Sequence, residues 1–273
     1  MKKSYLLLLM LLGAVLLLAA CGDSSEDTTT ENQEETGSSE DLLTKVQEEG
    51  KLMVGTEGTY PPFTFHDESG ELTGFDVEIA REVAERLGVE AEFLETQWDG
   101  MFAGLDSGRF DMVANQVGIR EDRLESYDFS DPYITSAAVL VTSEDETEIT
   151  SFEDLEGKTS AQSLTSNYAD IAKEYGAELT GVEGFNQAIE LLVSDRVDAT
   201  VNDKISVLDF LKQRPDAPIQ IAAESDDASK SGLQFRKDSG AIVDEVNKAL
   251  AEMIEDGTYE EISQKWFGEN VLE

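Results

Sequence analysis

The chain has little of what most enzyme and metal chemistry depends on. Its 273 residues include one cysteine, Cys21, and one histidine, His66. A single cysteine excludes an internal disulfide. A single histidine argues against a Ser-His-Asp triad or a His-rich zinc site. His66 falls in "TFHDESGEL", which reads as a hairpin turn with the imidazole on the surface. Positive charge is scarce: 20 Lys and Arg stand against 59 Asp and Glu, a formal net charge of −39. The field of such a chain repels phosphate, which argues against nucleic acid and anionic membrane surfaces as partners. The acidity itself reads as a solvated surface, tolerable where salt screens self-repulsion. Hydrophobic content is 40%, ordinary for a chain that buries a core.

Long apolar runs are lacking too, except at the N-terminus. Lys2 and Lys3 precede "YLLLLMLLGAVLLLAA", which is shorter than the run expected of a membrane-spanning helix and reads as the apolar centre of a signal peptide. "LAAC" resembles the lipobox of bacterial lipoproteins. That resemblance implies cleavage before Cys21 and lipid on its sulfur. Residues 1–20 are then a lipoprotein signal peptide. Residues 21–40, rich in Ser, Thr, Glu and Asp, are an acidic disordered tether. Removing residues 1–20 takes away two lysines and no acids, leaving −39 − 2 = −41. The expected location is extracytoplasmic, lipid-anchored to the outer face of the cell membrane.

From Asp41 onward, short apolar strands alternate with amphipathic helices. "KLMVGTE", "VEAEFLE", "FDMVANQ", "KTSAQS", "AELTGV", "RVDATVN" and "APIQIAA" read as strands. "FDVEIAREVAERLG", "WDGMFAGLDSG", "SNYADIAKEYG", "FNQAIELLVSD" and "KISVLDFLKQR" read as helices, with Ile79, Val83 and Leu87 on one face of the first. "SFEDLEG" is a short helix with Ser151 and Asp154 as a capping box. The alternation implies parallel sheets and an α/β class. One internal echo stands out: "SGRFDMVANQ" and "SDRVDATVND" share Ser-x-Arg-x-Asp followed by a short strand ending in Asn. The echo fits two similar αβ units. It also fits two equivalent lobes presenting residues at strand carboxyl ends, where open α/β sheets bind ligands.

Several stretches could carry chemistry. "GTEGTYPPF" follows the first strand, and its prolines hold Tyr60 and Phe63 either in the core or across a cleft. Trp98 precedes a helix and can pack as core or wall a pocket. "NQVGIREDRLESYDFSDPY" offers Arg120 and Arg123, whose guanidinium forks suit a carboxylate but could equally pair with local acids. Thr165 and Ser166 begin a helix, where free N–H groups favour an anion or simply receive an ordinary cap. Asp203 ends a strand and opens a helix, so it can cap that helix or meet a cation. Arginine, a helix start, a lone acid and aromatic walls together match the carboxylate, ammonium and side chain of an α-amino acid.

These motifs resemble the amino-acid-binding lipoproteins of ABC importers, solute-binding family 3. Its cystine-binding members are most similar, on "GTEGTYPPFTF", "LTGFDVEIA", "ETQWDGMFAGLDSGRFDMVANQVG", "SAQSLTSNYADIAK", "GVEGFNQAIELL", "RVDATVNDK", "DDASKSG" and "KWFG". The resemblance covers about Asp41 to Phe267. It implies the two-lobed periplasmic-binding-protein type II fold, with mixed or parallel sheets and two crossover strands. Lobe 1 would be 41–140 plus 229–273, and lobe 2 would be 141–228. It implies that Arg123, with the backbone of Gly118 and Ser166 and with Thr165, takes the α-carboxylate. Asp203 and the Gln116 carbonyl take the ammonium, Tyr60 and Trp98 flank the side chain, and Glu57 is a polar neighbour. Gly118 departs from the threonine common in the family, which leaves only its backbone. The resemblance further implies L-cystine as ligand, an ABC permease as partner, a monomer, no cofactor, no metal and no catalysis. Alternatives are another polar amino acid, a dehydratase-like enzyme on the same fold, or a sensor.

Overall fold

The computed structural model describes residues 41–272. The expected signal peptide, Cys21 and the expected tether lie outside the described residues. In chain order the elements begin with α1 Leu42–Glu49, β1 Lys51–Thr56, β2 Thr59–Tyr60, β3 Thr64–His66, β4 Leu72–Thr73 and α2 Phe75–Arg86. There follow β5 Glu90–Glu95, α3 Trp98–Asp106, β6 Met112–Val113, α4 Glu121–Ser126 and β7 Tyr127–Phe129. Next come β8 Ile134–Ser143, a 3-10 turn at Phe152–Leu155, β9 Thr159–Gln162, α5 Asn167–Glu174, β10 Glu178–Gly181, α6 Phe185–Val193, β11 Ala199–Asp203, α7 Lys204–Gln213 and β12 Ile219–Ser231. The described chain ends with β13 Gln234–Arg236, α8 Gly240–Asp256 and α9 Thr258–Phe267.

The strands form two five-stranded sheets, β5-β1-β6-β13-β7 and β10-β9-β11-β8-β12, with a small β2-β3-β4 meander beside them. Each large sheet is mixed. β1 pairs in parallel with β5 and β6, while β13 runs antiparallel to β6 and β7. β9 pairs in parallel with β10 and β11, while β8 runs antiparallel to β11 and β12. The antiparallel strands are those by which the chain passes between sheets. It leaves the first after Phe129, enters the second at Ile134, and returns after Ser231 at Gln234. The architecture is therefore the expected α/β fold of two lobes, each a sheet flanked by helices.

The apolar periodicity places the helices. Ile79 and Val83 are fully buried in the first core with Phe63, Phe75, Phe235 and Tyr259, and Leu87 packs against it. Gly88 ends that helix at φ 78. Ser151 and Asp154 form the capping box, on a 3-10 turn rather than an α-helix. The "FDMVANQ" strand is shorter than its composition suggests, only Met112–Val113. Asp111 spends its side chain on the Met53 N–H, and the chain turns at Gln116 with φ 54.

The sequence echo is structural. Asp111 N–H donates to the Met53 carbonyl at 2.8 Å, and Asp198 N–H to the Thr159 carbonyl at 3.0 Å. In return each aspartate carboxylate accepts from the N–H of that same partner, Met53 at 3.2 Å and Thr159 at 2.7 Å. Counting on from these anchors, Gln116 and Asp203 hold the same place in the two units.

Close packing sets α3 on its sheet. The Phe110 ring lies between two glycines. A Cβ on Gly55 would fall 2.6 Å from the ring, and one on Gly104 would fall 2.5 Å from it. Clamped from both sides, the ring cannot yield. Gly104→Ala should therefore cost about 1–3 kcal/mol, read as a lower urea midpoint with an unchanged slope.

Candidate functional site

The carboxyl ends of β1, β6, β9 and β11 meet at one cavity. It is lined by Glu57, Tyr60, Trp98, Asn115 and Gln116 from one lobe, and by Gln162, Ser166, Tyr168, Phe185 and Asn202 among others from the second. Its free volume is about 40 Å³, room for roughly two or three waters and no more. An amino acid with a side chain can enter only if the lobes part.

Two charged residues, Arg123 and Asp203, are not themselves among the lining residues, but each contacts one that is, Trp98 and Tyr168 respectively. The Arg123 guanidinium, 7% exposed, donates from Nη1 to the Gly118 carbonyl at 3.0 Å. Its flat face covers the Trp98 and Phe102 rings at 5.6 and 5.3 Å. Among the described residues no carboxylate pairs with it, because nearby Asp122 and Asp170 both pair with Arg120. Burial lowers its pKa to about 10, and Arg120 adds to the effect. Asp203, 2% exposed, accepts from Ser136 Oγ at 3.0 Å, Ile205 N–H at 2.8 Å and Tyr168 Oη at 3.2 Å. No Lys or Arg among the described residues pairs with it. Burial raises its pKa to about 6, against the pull of those hydrogen bonds. The Tyr168 hydroxyl donates to Asp203 and is close enough to Arg123 to act on it electrostatically.

Two further acids lie nearby, Glu57 partly exposed and Asp76 wholly buried. Glu57 is held by Asn115, which donates from Nδ2 at 2.6 Å and accepts the Glu57 N–H at 2.7 Å. Burial raises its pKa to about 7. Asp76, wholly buried, receives the Gln116 N–H at 2.7 Å and its Nε2 at 2.8 Å. Its pKa also rises to about 7, chiefly through burial.

The other expected residues are placed as follows. Tyr60 Oη donates across the cleft to Asn202 Oδ1 at 2.7 Å. Gly118 faces Ser231 as an isolated bridge in which Ile119 and Gly232, not Gly118, supply the hydrogen bonds, so its own N–H points away from that strand. Ser166 caps α5 by accepting the Ala169 N–H at 3.1 Å, and its own N–H goes to the Ser163 carbonyl. That N–H is thus already used. Thr165 lies outside the cavity lining, and both its N–H and hydroxyl donate to Asp99 of the opposite lobe, at 3.2 and 2.7 Å. A carboxylate does sit at this helix start, but it belongs to the chain.

Further contacts close the rims. Arg120 pairs with Asp170 at 2.7 Å, Asn186 donates to the Thr59 carbonyl at 3.3 Å, and Ser206 donates to the Pro61 carbonyl at 2.9 Å. Tyr168, Asp76, Asn115 and Asn202 were not singled out from sequence. For Asn115 and Asn202 the shared frame ending in Asn was the available signal.

Fold and cleft together define a two-lobed protein with a small cavity between its sheets. Residues 52–269 match the family described as bacterial extracellular solute-binding proteins, family 3, and the chain belongs to that family. It is 55% identical over 232 residues to the L-cystine-binding protein TcyA of Bacillus subtilis (strain 168), covering 85% of this chain and 86% of that one. An ancestral arginine-binding protein bound to arginine matches with 40% identity and a TM-score of 0.76, over 80% of this chain and 98% of the other. The L-cystine solute receptor of Neisseria gonorrhoeae, in its unliganded open conformation, is 46% identical with a TM-score of 0.57, over 85% and 99%. Higher identity with a lower TM-score is what drawn-together lobes produce against an open form. Among the described residues no helix is long and apolar enough to cross a membrane, and no cluster of His, Cys, Asp or Glu is arranged to hold a metal.

Asp203, Glu57 and Asp76 all bind protons more tightly folded than unfolded, where carboxylates titrate near 4. From about pH 4 to about pH 7 the folded protein therefore holds more protons, and its stability falls as pH rises. The Tm of ligand-free protein should decline from pH 5 to pH 8. Asp203→Asn should flatten part of that decline.

Proposed function

We propose that this chain is the amino-acid-binding component of an ABC importer, that it encloses L-cystine between its lobes and that it hands the ligand to a permease. The observation that carries this reading is the pair of buried charges, Arg123 and Asp203, that share no partner with each other. A zwitterionic α-amino acid supplies the carboxylate one lacks and the ammonium the other lacks. Desolvating the ligand is tolerable only where both its charges meet opposite charge. The Gly118 N–H and the Ser166 hydroxyl would add to the carboxylate site, and the Gln116 carbonyl to the ammonium site. Thr165 would join only by releasing Asp99. Tyr60 and Trp98 would wall the side chain.

Cystine is favoured by the sequence kinship with cystine-binding proteins and by the shape beyond Glu57. There a second space of about 350 Å³ opens, lined by Glu57, Glu95 and Glu183. A ligand with an amino-acid group at each end would reach it with its second ammonium.

We divide the lobes at 41–140 plus 229–273 and 141–228. That cut falls inside the β8–β12 ladder, whose register shifts between Glu224 and Ala228, and makes the ladder the hinge. We read the protein as a monomer, lipidated at Cys21, extracytoplasmic and without catalytic turnover.

Calorimetric titration of the full chain in mild detergent tests this with L-cystine, L-cysteine under reducing conditions, L-glutamine and L-arginine. Tightest binding of cystine is expected. Preference for another of the four would discard cystine, and binding of none would discard the amino-acid reading. Arg123→Ala and Asp203→Ala should each weaken binding by about 2–5 kcal/mol, because each strands a charge. Wild-type affinity should also fall as pH drops through about 6, where Asp203 takes up its proton.

A further inference from the structure

We propose that Asp76 is a positioning residue for the ligand site: it pins Gln116 in a left-handed backbone conformation and so presents the whole 115–118 segment to the cleft. The proposal deepens the amino-acid-binding reading and rests on it.

Gln116 is a non-glycine residue at φ 54, a conformation that costs free energy and persists only when its surroundings enforce it. The repeat shows what is unusual about it. At the equivalent place in the second unit, Asp203 has φ −66 and the chain runs straight into α7. The first unit has no helix there. The chain instead bends at Asn115 and Gln116, and the group holding that bend, Asp76, comes from α2. Both Asp76 oxygens are occupied by Gln116, one by its N–H at 2.7 Å and one by its Nε2 at 2.8 Å. This fixes backbone and side chain of one residue from a single wholly buried carboxylate.

The neighbours on either side are site residues. Asn115 holds Glu57 by two hydrogen bonds, and Gly118 holds the Arg123 guanidinium. If Gln116 relaxed to an ordinary φ, the chain direction would change between these two contacts, and Glu57 and Arg123 could not both stay in place. Asp76 also lies within the field of Asp203, which raises its proton affinity further. It touches neither of the two charged groups expected to meet ligand, so it acts through Gln116.

The test is a double-mutant cycle in the full chain, reading L-cystine affinity by calorimetry and fold by Tm. Glycine adopts a positive φ without strain, so a Gln116→Gly background removes the need for the pin. Asp76→Ala should weaken binding about tenfold alone, as the competent conformer becomes a minor one. In the Gln116→Gly background it should weaken binding by less than about threefold. Equal weakening in both backgrounds, or none in either, overturns the proposal, as does a fall in Tm with unchanged affinity. Should Asp76→Ala not fold, Gln116→Val against Gln116→Gly decides: valine disfavours positive φ and should bind at least about tenfold more weakly than glycine. Equal affinities for those two would overturn it. If the wild type binds no amino acid in the panel, the functional reading fails separately. Hydrogen exchange then reads the pin itself: Asp76→Ala should speed exchange of the Gln116 amide while leaving α8 amides unchanged, and an unchanged Gln116 rate overturns it.

Discussion

The constraint on which the rest depends is that two opposite charges are buried at one cleft without neutralising each other. A buried guanidinium and a buried carboxylate attract strongly where water is excluded, so something must keep them apart. Each is held by the sheet and helices on its own side of the cleft. Two aromatic rings and the Gly118 carbonyl fix Arg123, while a serine, a helix N–H and a tyrosine fix Asp203. Burial lowers the pKa of the cation and raises that of the anion, the directions that favour the neutral form of each. A site built this way is preorganised, because the desolvation cost is met in folding and is not met again when ligand arrives.

The sheet topology supplies the apposition. Two similar αβ units each anchor a short strand through an aspartate that takes an N–H of the adjacent strand, and each delivers a polar residue at the strand's carboxyl end. The units face each other, so Gln116 and Asp203 come from equivalent places on opposite walls. The symmetry is broken where function requires it. One unit supplies its own carboxylate and a helix start. The other supplies a strained turn held by a carboxylate borrowed from α2. Asp76 is consumed by Gln116, so the acids left to the cleft are Asp203 and the Asn115-bound Glu57.

Much of this was legible in the sequence, for physical reasons. Alternating apolar periods located the helices and most strands, because burial on one face is a local property of the pattern. Arg123, Asp203 and the repeat were visible as residue types at strand and helix ends. What was not legible depends on contacts between distant residues. In a chain with 59 acids, composition cannot say which arginine is already paired. Arg120 takes Asp122 and Asp170, and only that leaves Arg123 unpaired. The same holds for Thr165, whose donors go to Asp99 some 66 residues away. Tyr168 and Asp76 lie in stretches whose pattern announces only a helix, and their partners Asp203 and Gln116 are 35 and 40 residues away. The β6 strand was overread because a run of apolar residues says nothing of the turn that Asp76 imposes.

The rims complete the logic. The contacts that close the cleft at its edges are mostly exposed: an arginine–aspartate pair, a threonine–aspartate pair, and amide or hydroxyl bonds to carbonyls. An exposed ion pair is worth about 0–1 kcal/mol and weakens with salt. Such contacts can fix the geometry of closure, but their sum is small beside the burial of two charges. This ordering is what a switch requires. A ligand shifts an equilibrium only by its differential affinity for the two states. If the rims were strong, the lobes would stay shut over a cavity of about 40 Å³ and the ligand could not enter. If the buried charges were already paired, closure would gain nothing from ligand. On the proposed reading, weak edges around two unpaired charges would make closure depend on a ligand that carries both missing charges.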